Sequence, residues 1–286
     1  MLVSVLNGFA IGFLLFILAV GLSLVFGMMD VLNLAHGALF LGGAYLGAAL
    51  AGSWGGFLGA LAVAAVAGLA GGALLSLMTE PLRSRSHLDQ ALLTLGVAFV
   101  VAELLIIVFG DDPLSVPAPP GLDGSVSVFG AVYPTYRLVL IGVGALLALV
   151  VHLVVERTRV GALVRATVAD REMVSALGVD NRLLKIAVFA VGSLLATTAG
   201  VLGGPLYGAR PGLDASVLIL ALVVVVIGGL GSVRGALLGA LIIGQIDTVG
   251  RVLLPELASF VLFAALALVL VLRPQGILGG VGARAR

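Results

Sequence analysis

Apolar positions run in long blocks along this chain, and polar positions gather into a few short intervals. Uncharged runs cover Met1–Met29, Val31–Thr79, Ala91–Ala102 continuing to Gly110, Leu138–Val155 and Ile186–Ala209. Each approaches or exceeds the roughly 20 residues that cross a bilayer as an α-helix. Glycine, proline and charge divide these runs into nine apolar segments. They are Val5–Met28, Gly37–Ala51, Phe57–Met78, Ala91–Phe109, Leu138–Val155, Ile186–Leu206, Ala215–Leu230, Gly235–Ile246 and Leu257–Leu272. The pattern predicts an all-α polytopic membrane protein with about eight or nine transmembrane segments, forming a single transmembrane domain over 1–286. The seventh and eighth segments are short and interrupted by glycine, which fits one partial or broken helix.

Two polar intervals stand out. Gly110–Tyr136 holds Asp111, Asp112, Asp123, Pro113, Pro117, Pro119 and Pro120, with no basic residue before Arg137. It reads as an external (periplasmic) loop with strand-like turns around Val126–Val132. Glu156–Lys185, ERTRVGALVRATVADREMVSALGVDNRLLK, is a charge-dense island between the fifth and sixth segments. Basic residues also gather at Arg83 and Arg85 and at Arg273, Arg284 and Arg286. If every segment crosses once, all these basic groups fall on one side, which the positive-inside rule makes the cytoplasm. The N-terminus then lies outside.

The island itself has helical spacing. Arg157–Arg165 is a cation-rich approach. Ala166, Ala169, Met173, Ala176 and Leu177 then form a narrow apolar stripe, with Asp170, Arg171 and Glu172 on other faces. Gly178 sits where a helix C′ glycine would end the element. The expectation is one short amphipathic helix over Ala166–Leu177, either docking a partner or lying as a surface connector on headgroups.

Composition narrows the classes. Hydrophobic residues make up 61% and charged residues 10%, against about a quarter charged in soluble domains. A net charge of +1 without a basic stripe gives no hint of nucleic acid. Zero cysteines exclude disulfides and thiol chemistry. The first apolar run has no preceding basic residue and is too long for a signal-peptide core, so it reads as a retained membrane helix. Glycines recur every fourth residue at Gly8/Gly12, Gly55/Gly59, Gly68/Gly72, Gly200/Gly204/Gly208 and Gly231/Gly235/Gly239. That spacing favours close helix packing, with hinge bending as the alternative.

Candidate chemistry is sparse. The one lysine, Lys185, follows Leu183-Leu184, so there is no phosphate-binding G-x-x-x-x-G-K-[ST] loop. His36, His87 and His152 stand apart, with no H-E-x-x-H spacing, and G-x-S-x-G is missing. The chain therefore offers no catalytic, metal or cofactor set. Asp30, Asn33 and His36, at i, i+3 and i+6 between two apolar segments, would share one helical face. They would either line a polar path or cap helix ends in an interfacial turn. Glu103, Asp214, Asp247, Arg251 and Glu256 are expected to be interfacial, snorkelling or paired, too few for a proton relay.

Several motifs resemble a known family. Gly21-Leu22-Ser23-Leu24-Val25-Phe26-Gly27, then Asn33-Leu34-Ala35-His36-Gly37 and Gly42-Gly43-Ala44-Tyr45, resemble the opening of branched-chain amino acid ABC transporter permeases of the LivH type. Arg165–Asp170 through Ala176-Leu177-Gly178-Val179 is similar to that family's coupling segment. Gly228-Gly229-Leu230-Gly231-Ser232 with Gly235-Ala236, and Leu272-Arg273-Pro274-Gln275-Gly276, complete the order. The resemblance implies a permease subunit in the inner (plasma) membrane of a bacterium or archaeon. It implies a second homologous permease, two cytoplasmic ATPase subunits and a periplasmic binding protein. By resemblance, Arg165, Ala166, Ala169, Asp170, Arg171, Glu172, Ala176 and Gly178 would form the ATPase-coupling surface, and Asn33 and His36 become candidates for the path lining. Relatives of this type carry branched-chain or other amino acids, urea or short amides. A stand-alone channel or secondary carrier, or a membrane enzyme, is the alternative of a different class.

Overall fold

The computed structural model describes residues 1–29, 31–82, 85–253 and 255–278. Asp30, Arg83, Arg284 and Arg286 lie outside the described residues, as does the side chain of Arg171.

Every predicted apolar segment contains a helix. The order is α1 (Leu2–Met29), α2 (His36–Leu50), α3 (Trp54–Thr79), α4 (His87–Phe109), the hairpin β1 (Ser125–Val128) and β2 (Ala131–Pro134), α5 (Thr135–Arg157), α6 (Arg159–Ala169), α7 (Arg171–Ala176), α8 (Asn181–Tyr207), α9 (Leu213–Gly228), α10 (Val233–Leu253) and α11 (Ala258–Leu272). Among the described residues α1, α3, α4, α5, α8 and α10 contain spans long and apolar enough to cross a membrane, while α2, α9 and α11 carry shorter apolar helices. The fold is an all-α polytopic membrane protein. The eighth segment is longer than expected: α10 runs to Leu253, because Gln245, Asp247 and Arg251 continue the helix instead of ending it.

Polar residues set the helix starts. Ser53 Oγ accepts from the Gly56 N–H at the head of α3. Ser86 and Asp89 form a reciprocal capping box on α4. Asp180 Oδ1 accepts from the Arg182 and Leu183 N–H groups at the head of α8. These side chains satisfy donors that a helix start leaves without intrahelical partners.

The chain divides into two compact units. One comprises Met29–Asp123 and Asp180–Ile219. In it α8 packs against both α2 and α3 through glycine. A Cβ on Gly43 would strike the Thr197 carbonyl, one on Gly200 the Phe40 carbonyl, and one on Gly72 the Phe189 carbonyl. Thr197 Oγ1 also donates to the Ala64 carbonyl of α3 at 2.7 Å. Lys185, 3% exposed, pairs with Glu80 at 2.9 Å and joins the foot of α8 to the end of α3. At the other end Leu114 and Ala209 exchange backbone hydrogen bonds, and Trp54 Nε1 donates to the Pro120 carbonyl.

The other unit comprises Met1–Met28, Gly124–Val179 and Leu220–Arg286. A Cβ on Gly244 of α10 would meet the Gly8 carbonyl and Gly12, so α1 and α10 approach at backbone distance. Arg137 donates to Asn7 Oδ1 near the start of α1. The hairpin precedes α5 directly and buries Tyr133. Burial pushes the Tyr133 phenol above its usual value, with the Arg137 charge opposing, so it stays neutral and protonated. Most of the repeated glycines thus serve packing, whereas Gly55 and Gly59 touch almost nothing.

Candidate functional site: a polar break and a charged island

The first candidate lies between α1 and α2. Residues 31–35 are not helical, which corrects the expectation that Asn33 and His36 share one helical face. At the start of α2, which follows Ala35, no side chain caps the helix. The break is instead braced from α4. Thr94 Oγ1 accepts from the Leu34 N–H at 3.1 Å and has two carbonyls within donating distance, Leu32 at 3.0 Å and Ala91 of its own helix at 2.9 Å. In lipid, irregular backbone needs such partners, because water is not there to supply them. Thr94 is the eighth residue of α4, so the break sits about 10 Å along that helix from its start. Asn33 and His36 are wholly buried, and neither Asn33 Oδ1 nor Nδ2 meets a hydrogen-bond partner among the described residues. Sequence reading missed Thr94, although a lone threonine in an apolar run was a usable signal.

The charged island is not one helix over Ala166–Leu177. It is two, α6 and α7, broken at Asp170, whose backbone is extended. Asp170 Oδ1 accepts from the Met173 N–H at 2.9 Å and so starts α7 afresh. An aspartate competes well as a cap and poorly in a helix interior, which is why the break falls there. Thr158 Oγ1 caps α6 in the same way, accepting from the Gly161 N–H. The buried face also differs from the predicted stripe: Gly161, Val164, Thr167 and Val174 face inward. Ala166, Ala169, Met173, Ala176 and Leu177 face solvent, as do Arg165, Asp170 and Glu172. Met173 and Leu177 are 64% and 76% exposed, an apolar surface left uncovered among the described residues. Gly178 ends the element at φ +83°, a backbone state that suits glycine.

Within the same unit, the island comes close to a glycine turn. Gly228–Ser232 joins α9 to α10, and a Cβ on Gly231 would lie 3.6 Å from Val168 Cγ1 of α6. The turn packs on Gly27 at backbone distance, and the Gly231 N–H donates to the buried Ser23 Oγ at 3.1 Å. From the other side, the Ile277 and Leu278 N–H groups donate to the carbonyls of Ile227 and Gly228. Gly276, at φ +80°, brings that strand within contact of Gly229. Three of the motifs noted in sequence, around Gly21–Gly27, Gly228–Ser232 and Arg273–Gly276, therefore meet at one point. Ser23 stood in sequence only as part of the Gly21–Gly27 motif, with no role of its own.

Residues 4–271 match the family described as branched-chain amino acid transport system / permease component. The chain belongs to this family. A Salmonella typhimurium protein named high-affinity branched-chain amino acid transport system permease protein LivH is 28% identical over 96% of this chain and 94% of its own length. A Pseudomonas aeruginosa permease protein of the same description, BraD, is 29% identical over 96% and 95%. An Escherichia coli permease protein named LivM is 31% identical over 92% of this chain and 67% of its own. No solved structure matches this chain. As a member of a permease family with apolar helices throughout, it is a multi-pass membrane transport component and not itself an enzyme.

Proposed function

We propose that this permease is one membrane-spanning subunit of an ATP-driven importer that carries branched-chain amino acids through the inner (plasma) membrane of a bacterium or archaeon. The family match across residues 4–271, with relatives named for high-affinity branched-chain amino acid transport, carries the reading. A second permease subunit completes the path, two cytoplasmic ATPases supply the energy and a periplasmic protein delivers substrate. Energy has to come from partners, since this chain has no phosphate-binding loop.

The island is the surface that the ATPases grip. Its exposed Ala166, Ala169, Met173, Ala176 and Leu177 offer an apolar seat, framed by Arg165, Asp170 and Glu172 and ended by Gly178. Movement there reaches the turn Gly228–Ser232 through Val168, and from the turn it reaches α1, α9 and α10. Asn33 and His36 belong to the path. A buried amide without partners costs stability, and such groups at membrane depth usually serve transport.

The test is reconstitution of the chain in vesicles with its second permease, ATPases and binding protein. ATP-dependent leucine uptake, competed by valine and isoleucine but not by urea or short amides, is expected. Uptake that proceeds without ATP would establish a channel or carrier instead.

A further inference from the structure

Helix α4 presents an unusual surface for a membrane span. Of the long apolar helices it is the least covered by its own chain, with 11% of its most apolar stretch buried. Leu92, Gly96, Phe99, Glu103 and Ile107 follow at spacings of four, three, four and four, and all five are exposed. Glu103 is a carboxylate in the middle of that face, with no hydrogen-bond or ion-pair partner among the described residues. Six residues separate it from Phe109, the end of α4, which puts it about 9 Å from that end. A 23-residue helix is about 35 Å long. Against about 30 Å of hydrocarbon, Glu103 then stands roughly 7 Å inside the apolar layer. It cannot easily reach back to water, because Cα–Cβ bonds tilt toward a helix N-terminus. That tilt points the side chain toward the middle of the bilayer. Lipid tails would leave the charge unsatisfied at considerable cost. Gly96, two turns away, adds a second observation: a Cβ placed there would meet nothing within 4 Å. It is a notch that this chain does not fill, at the spacing where a neighbouring helix can approach closely.

We propose that this face of α4 packs against the second permease subunit, which lays a helix over Gly96 and supplies Glu103 with a basic or hydroxyl donor. The inference rests on the pairing of permeases proposed above, and it adds the address of the contact and the chemistry of the partner residue. Water lining an open route and lipid are the other possible covers, and the experiment separates them.

The permease pair would be co-expressed and purified with its ATPases, carrying a photo-reactive benzophenone amino acid at Phe99. Illumination should yield a covalent adduct whose mass identifies the second permease. An adduct with lipid only, or none while the pair co-purifies, overturns the assignment and leaves pairing intact. If no second permease accompanies the unaltered chain, pairing itself fails and the assignment with it. A Cβ at Gly96 meets no described atom within 4 Å, so the yield of a Gly96→Leu variant should hold. Recovery of the second permease should fall about tenfold, the scale of one lost interhelical contact; unchanged recovery counts against the proposal. The chain has no cysteine, so Glu103→Cys introduces a single thiol. In the assembled complex it should resist a membrane-impermeant maleimide, and labelling as fast as a loop cysteine would assign the face to water.

Discussion

Two of the interruptions between apolar helices, Val31–Ala35 and Gly228–Ser232, are supported by opposite means. The break at Val31–Ala35 is surrounded by polar side chains. Thr94 holds its backbone, and Asn33 and His36 are buried beside it. The turn at Gly228–Ser232 is built from glycine and backbone hydrogen bonds, and the buried Ser23 hydroxyl accepts from its Gly231 N–H. Side-chain polarity at membrane depth is expensive, and is kept where something polar has to pass. Glycine without side chains lets four segments converge at one point. The first interruption suits chemistry with a substrate, and the second suits mechanics.

The glycine turn should be the more fragile. Gly231→Val places a branched side chain at φ +76° and against the backbone of Gly27. A loss of about 3 kcal/mol or more is expected from overpacking and strain together, read as collapse of the folded fraction in detergent melting. The polar break should tolerate less drastic change at a smaller cost. Thr94→Val keeps the shape but leaves the Leu34 N–H and Leu32 carbonyl unsatisfied, for about 2 kcal/mol. A melting midpoint equal to that of the unaltered chain would mean that Thr94 does not brace the break.

Asp170→Ala removes the cap that divides α6 from α7, at about 1 kcal/mol confined to the island. Fusion of the two helices should weaken ATPase co-purification while the membrane helices stay intact. Asn33→Leu sharpens the contrast from the other direction. Replacing an unsatisfied buried amide with an apolar group should leave melting unchanged or raise it by about 1 kcal/mol. Uptake should nevertheless fall. Unchanged uptake would return Asn33 to a purely structural place.

The apolar segments and their order could be read directly, because a span needs only length and hydrophobicity. The positions of the breaks were also readable, from glycine and clustered polar residues. Their form was not. Asn33 and His36 have helical spacing, yet the chain around them is held open by Thr94, some sixty residues away in sequence. In the island, periodicity suggested one helix through Asp170. A local cap outweighed that periodicity and turned the predicted apolar stripe outward. The pairing of Lys185 with Glu80, the meeting of Ser23 with Gly231 and the return of Gly276 to Gly229 are all long-range contacts. No local pattern encodes them.

We propose that the island moves the membrane helices through Val168, which lies close to the glycine turn. Val168 is 41% exposed, so Val168→Ala should cost little stability. The direct measurement is leucine transported per ATP hydrolysed, in vesicles holding the complete importer. Hydrolysis should continue near its usual rate while uptake per ATP falls. Equal rates and an equal ratio, with the ATPases still bound, would contradict the route through Gly228–Ser232.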